Sequence, residues 1–122
     1  MTNIIVLDDE RTFDTDSVTK YLRTATEGLA YFAELFTKNS TIPYGVVPDV
    51  IHELWLDHDL GEGGGEATTV VNFISALSRT NSRIYIQSIF VHSQNPVGAA
   101  NLMASCQGLA PTVRRVPLPD LR

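Results

Sequence analysis

Apolar and polar positions follow two different rhythms along this chain. Asn3–Leu7 (NIIVL), Val50–Leu56 (VIHELWL) and Arg83–His92 are short runs dominated by Ile, Val, Leu and aromatic residues. Their near-continuous apolar character predicts strands covered on both faces. Ser17–Thr24 (SVTKYLRT) is rich in β-branched and aromatic residues and predicts a second strand. Thr112–Val116 predicts a last short one, ended by Pro117 and Pro119. Between these runs the spacing changes to that of helices. Leu29, Phe32, Ala33 and Phe36 line one face of a helix from Glu27 to about Thr37, with Thr26 as its cap. Ala67, Val70, Val71, Ile74 and Leu77 line another over Glu66–Ser78. Asn95-Pro96 opens a third, because Asn caps well and Pro suits the first turn. It turns Leu102, Met103 and Cys106 inward and stops at Gly108. Asn39–Pro48 reads as a loop, and Gly61–Gly65 as a flexible one.

Strands alternating with helices imply an α/β fold with a parallel sheet and right-handed crossovers. The expected strand order is 2-1-3-4-5, with a reduced set of helices, as one domain over residues 1–122. In such open sheets the ligand site lies beyond the C-terminal ends of the strands. The first strand delivers Asp8, Asp9, Glu10 and Arg11 there, and the second Arg23 and Thr24. The third delivers Asp57, His58 and Asp59, and the fourth His92, Ser93 and Asn95. Four separate segments thus send polar groups to one edge.

Composition narrows the possibilities. At 122 residues and 43% hydrophobic content the chain can build one real core. No apolar run approaches the ~20 residues of a membrane span. The opening MTNIIVLDDE lacks a basic n-region, so no secretory leader is expected. With a single cysteine, Cys106, neither an intrachain disulfide nor a thiolate cage is expected, which fits a reducing, cytoplasmic setting. The net charge is −5 and no basic cluster exceeds Arg114-Arg115. An extended nucleic-acid groove is therefore not expected.

The acidic edge has a physical consequence. Two carboxylates ~4 Å apart repel by about 4 kcal/mol at an effective dielectric near 20. Asp8, Asp9, Asp57 and Asp59 cannot all ionise close together without a cation. A hard divalent ion resolves the conflict, so Mg²⁺ or Mn²⁺ is the expected cofactor. His58 and His92 would pull preference toward Mn²⁺ or Zn²⁺ if they ligate. An isolated Asp8-Asp9-Glu10 would read as a solvated loop. A second Asp-x-Asp after another buried strand favours a site. His52, near a strand start, reads as structural. His58 is either a satisfied loop histidine or a proton carrier. Arg11 and Arg23 are either surface charges or phosphate contacts. The GEGGG stretch lacks the Lys-Ser/Thr of a Walker loop and carries no signal alone.

LDDER at Leu7–Arg11, LDHDLG at Leu56–Gly61 and HSQNPVG at His92–Gly98, in this order and spacing, together with Arg23-Thr24 before a helix, resemble the cyclic-phosphate processing receiver-like domain family. That family is a divergent relative of two-component receiver domains. The resemblance implies a flavodoxin/receiver-like sheet and a role in handling cyclic phosphates on nucleotides or RNA ends. It implies that Asp8 and Asp9 match the acidic pair that helps hold Mg²⁺, that Asp57 matches the phosphoacceptor, and that His92 or Ser93 falls at the receiver Thr/Ser. The match breaks at the receiver lysine: no lysine follows Lys38, and Val116-Pro117 stands where Lys-Pro would be. The first helix is reduced to a loop at Thr12–Asp16, and no final helix follows the last strand. Asp57-His58-Asp59 also looks like the Asp-x-Asp of haloacid-dehalogenase phosphatases, as convergence of need.

The leading expectation is a metal-dependent phosphoesterase or cyclic-phosphate hydrolase acting on a small phosphorylated ligand or nucleotide. Asp8, Asp9 and Asp57 would bind the ion, which would acidify a water and polarise phosphoryl oxygens. His92 or His58 would move a proton, with Asp57 and Asp59 as further catalytic candidates. Ser93, Asn95, Arg11 and Arg23 would hold phosphate. The alternatives are a receiver-like module that binds a partner protein without turnover, and one that sequesters a cyclic nucleotide.

Overall fold

The computed structural model describes residues 3–10, 12–13, 17–43, 45–46, 48–61, 63–81, 84–93 and 95–116. Arg11, residues 14–16, Glu62, Arg83, Gln94, Pro117 and Pro119 lie outside them. In chain order the elements are β1 (Ile4–Leu7), β2 (Lys20–Leu22), α1 (Ala25–Ser40), β3 (Val50–Leu56), α2 (Ala67–Asn81), β4 (Tyr85–Val91), α3 (Pro96–Cys106) and β5 (Thr112–Arg115). The strands form one parallel sheet in the order β2-β1-β3-β4-β5, as the strand–helix alternation predicts.

Two local differences from the sequence expectation have clear causes. The second strand is shorter than Ser17–Thr24, because its end is taken by a helix start. Thr24, not Thr26, caps α1: its hydroxyl accepts from Glu27 N at 3.1 Å, and the Glu27 carboxylate accepts from Arg23 N at 3.1 Å. This is close to a capping box, and it sets the helix entry two residues earlier. α1 also runs past Thr37 through Asn39 and Ser40. Its buried face is Ala25, Gly28, Phe32, Leu35 and Asn39 rather than a stripe through Leu29 and Phe36. Gly28 belongs to that face because α2 crosses there: a Cβ on it would lie 2.8 Å from a Val70 methyl. Asn39 is fully buried, and its amide exchanges hydrogen bonds with the Asp49 backbone, which ties the helix end to the start of β3.

The core is asymmetric. The main cluster joins Ile5, Leu7, Leu54, Leu56 and Ile89 of the sheet to Phe32, Val70, Ile74, Leu102 and Cys106 of the three helices. The opposite side of the sheet carries a smaller cluster of Ile4, Val6, Phe13 and Trp55, with Tyr21 and Phe90 packed against it. Phe13, from the segment between β1 and β2, stands edge-on to Trp55 at 5.1 Å between ring centroids. An aromatic residue from a loop thus covers sheet surface there, and none of the three helices contributes to this cluster.

Cys106 lies in the main cluster, and burial pushes its thiol from an ordinary 9.0 up to about 12. The thiolate is the reactive form, so the native protein should label only slowly with a disulfide reagent at about pH 8, and quickly once unfolded. The folded value lies above the unfolded one. This residue's contribution to stability is therefore complete below about pH 8.5 and is lost progressively as pH rises from there. Labelling kinetics with and without denaturant check the first statement. Rapid native labelling would contradict the burial.

Candidate functional site

The sheet register builds the site. Leu7 pairs with Leu56, and Leu56 with Val91. The next residue of each strand is Asp8, Asp57 and His92, so these form one row just beyond the ladder. The backbone holds that row with continuing bonds: Asp8 N to Leu22 O, Asp57 N to Leu7 O and His92 N to Leu56 O, at 2.9–3.0 Å. Three segments far apart in sequence are thereby fixed side by side at the C-terminal edge.

Asp8, Asp9 and Asp57 each offer an oxygen within 4.8 Å of the others. Asp8 is fully buried, Asp57 is buried, and Asp9 is half-buried. Asp9 and Asp57 line a pocket of about 210 Å³ together with Glu10, Asp59, Gly61, Ser93 and Asn95. Three converging carboxylates present hard oxygen donors, the set that suits Mg²⁺ or Mn²⁺. Asp8 stands behind this pocket and is not part of its lining. Its Oδ1 accepts from Glu10 N at 3.0 Å, and its Oδ2 lies 2.9 Å from His92 Nε2.

Neither candidate histidine lines the pocket. His92 is fully buried against Asp8 and beside the mutually packed rings of Phe13 and Trp55, whose centroids lie 6.0 and 5.9 Å away. Its Nε2 contacts Asp8 rather than the pocket. His58 is also buried. Its Nδ1 lies 3.0 Å from Asp59 Oδ1, and its Nε2 lies 3.5 Å from Glu66 Oε2. Gly98 of α3 packs on this ring so closely that a Cβ would fall 2.6 Å from it. His92 thus stands against Asp8, and His58 against Asp59 and Glu66; of these three acids Asp59 lines the pocket, with a side chain 63% exposed.

The phosphate candidates separate. Ser93 and Asn95 both line the pocket. The Ser93 hydroxyl accepts from Asn95 N at 3.2 Å, and the Asn95 side chain caps α3 by accepting from Gly98 N at 3.0 Å. Arg23 does not line the pocket. Its Nη1 donates to Asp8 O at 3.1 Å and its Nη2 to Thr12 Oγ1 at 3.3 Å, while the guanidinium stacks on Tyr21. It pins the turn after β1, so its role as a phosphate contact is not the one this geometry provides. Arg11 lies outside the described residues. His52 accepts from Asn3 N at 2.9 Å and is structural, as its position predicts. Both lysines sit at the opposite edge: Lys20 begins β2, and Lys38, in the last turn of α1, pairs with Asp49.

Glu10 lines the pocket, as its place after β1 predicts, whereas Gly61 and Glu66 were not expected at the site. Gly61 passes so near Asp9 that a Cβ would lie 2.6 Å from its Oδ2, at a backbone φ of +77° that favours glycine. Glu66 is brought back to Asp59 by a bridge between the two backbones. The spacing of glycines between two acids was the available signal. The Gly61–Gly65 segment, expected as a flexible loop, carries backbone hydrogen bonds beside this bridge. Leu60 N bonds Gly65 O, Gly64 N bonds Gly61 O, and Gly64 O accepts from Ala25 N at the start of α1.

Residues 3–108 match the family model described as Cyclic-phosphate processing Receiver domain. No curated protein and no solved structure matches the chain. No helix among the described residues is long and apolar enough to cross a membrane.

Proposed function

The chain belongs to the cyclic-phosphate processing receiver domain family, and from that premise we propose that its acidic pocket is a divalent-cation-dependent phosphoesterase site for a cyclic phosphate on a nucleotide or RNA end. The observation that carries this reading is the convergence of Asp8, Asp9 and Asp57 within 4.8 Å beside a pocket with neutral phosphate-binding groups. Asp9 and Asp57 would hold Mg²⁺ or Mn²⁺, with Asp8 supporting them from behind. Such an ion supplies Lewis acidity and an acidified water. Ser93 and Asn95 orient the phosphate at the start of α3. Asp59 moves the proton, because it is an exposed acid in the lining whose carboxylate is held by a histidine, His58.

Phosphorelay fits less well. Both lysines of the chain lie at the far edge of the sheet, so neither ammonium reaches Asp57. That leaves the non-catalytic receiver-like module as the second reading, supported by the absent lysine.

The test is turnover of a 2′,3′-cyclic nucleotide with Mn²⁺ or Mg²⁺ and with chelator. Metal-dependent ring opening is expected. Asp59→Asn should slow it roughly 10²–10⁴-fold, the usual range for losing a positioned acid or base, with metal affinity little changed. Tight nucleotide binding without turnover in any metal would replace the hydrolase with a sequestering module.

A further inference from the structure

We infer that His92 is a positioning residue for the cation site, acting through Asp8 by a hydrogen bond from Nε2. The inference rests on the metal-binding reading above and assigns this side chain a place in it.

The His92–Asp8 pair is closed off from solvent on both sides, with each side chain 0% exposed. A carboxylate oxygen accepts, so the ring nitrogen 2.9 Å from Asp8 Oδ2 carries the hydrogen. The other nitrogen, Nδ1, has no hydrogen-bond partner among the described residues and is buried. A buried ring nitrogen left unpaired costs free energy. The ring packs beside Phe13 and Trp55 with Nε2 on Asp8 and Nδ1 unpartnered. One bond is kept at the expense of the other. The retained bond fixes the carboxylate that lies behind Asp9 and Asp57, together with the Glu10 N–H on its other oxygen. Groups that orient a metal-binding carboxylate change affinity 10–100-fold when removed, as a general magnitude.

The strand register makes this arrangement possible. His92 occupies the row of Asp8 and Asp57, so it reaches Asp8 across β3 from the far strand.

Two variants separate positioning from packing. In His92→Gln the amide nitrogen extends to about the place of Nε2. In His92→Asn it stops near Nδ1, one bond short of Asp8. Both are polar and smaller than histidine, Asn by one methylene more than Gln, and the melting curve reads that packing difference apart from affinity. Calorimetric titration with Mn²⁺ alone, alongside a melting curve, reads affinity and stability separately. Wild-type protein should bind with saturation, His92→Gln should stay close to it, and His92→Asn should bind roughly 10–100-fold more weakly. Equal affinity in His92→Asn and wild type, with lowered melting temperature in both variants, would make His92 purely structural. Equal weakening in both variants would also overturn the inference, since the placed donor would then not matter. If one variant does not fold, the other is compared with wild type alone: unweakened binding in His92→Asn or weakened binding in His92→Gln overturns it. Absence of saturable Mn²⁺ binding in the wild type would instead remove the metal reading itself, and this inference with it.

Discussion

Asp57→Asn is expected to weaken Mn²⁺ binding roughly 100-fold or more while raising the melting temperature of the metal-free protein. Both effects follow from one charge. Asp57 is buried, and an oxygen of it lies within 4.8 Å of oxygens of Asp8 and Asp9. At an effective dielectric near 20, unit charges ~4 Å apart interact by about 4 kcal/mol. Removing one of them deletes attraction to a cation, and each 1.4 kcal/mol is about tenfold in affinity. The same change deletes repulsion between neighbouring carboxylates when no cation is present. The asparagine keeps the shape, so packing is little disturbed. Calorimetric titration reads the first effect and thermal melting in chelator reads the second. A variant that binds Mn²⁺ like wild type, or that melts lower in chelator, would show that Asp57 is not part of a cation site. Cyclic-nucleotide turnover should fall with the affinity.

The largest effect on stability is expected at Gly64. A Cβ there would sit 1.8 Å from the carbonyl oxygen of Leu60 and 2.7 Å from its carbon. Both contacts are backbone, so no side chain can swing away. The loop is also fixed at both ends, by Gly64 N to Gly61 O and by Ala25 N to Gly64 O. Gly64→Ala must therefore move the turn after Asp59 or the first turn of α1. Forced overpacking of this kind costs about 1–3 kcal/mol, which in a domain of this size is a fall of roughly 5–12 °C in melting temperature. Asp59 lies on the same turn, so turnover should decline as well. Gly63→Ala is the comparison: nothing lies within 4 Å of its Cβ position, and its cost is the strain of a φ of +77°, about 1 kcal/mol. If the two variants melt alike, the turn is as pliant as its glycine content suggests, and the packing account of Gly64 is wrong.

Much of this molecule is determined by sequence alone. The apolar runs at Ile4–Leu7, Val50–Leu56 and Tyr85–Val91 have nowhere to go but a covered parallel sheet, and helical stripes between them set the crossovers. The Asn95-Pro96 helix start is written in residue chemistry: a side-chain acceptor for the free N–H groups, then a residue with no N–H to satisfy. The acids at the strand ends follow, because a parallel sheet has only one C-terminal edge.

What tertiary structure decided is which of those groups face the pocket. Periodicity places His92 and Asp59 at the same edge but cannot tell which is sealed in. The register puts His92 in a row with Asp8 and Asp57, and Phe13, which lies between β1 and β2 in the chain, packs beside it. A buried imidazole beside a buried carboxylate is the arrangement from which the positioning role is inferred. Arg23 and Gly61–Gly65 changed meaning for the same reason. Their roles depend on partners distant in sequence, Asp8 O and Thr12 for the arginine and Ala25 for the loop. Local pattern carries backbone propensity and one-dimensional spacing. Hydrogen-bond partners and burial are properties of the packed chain, fixed only when separate segments meet.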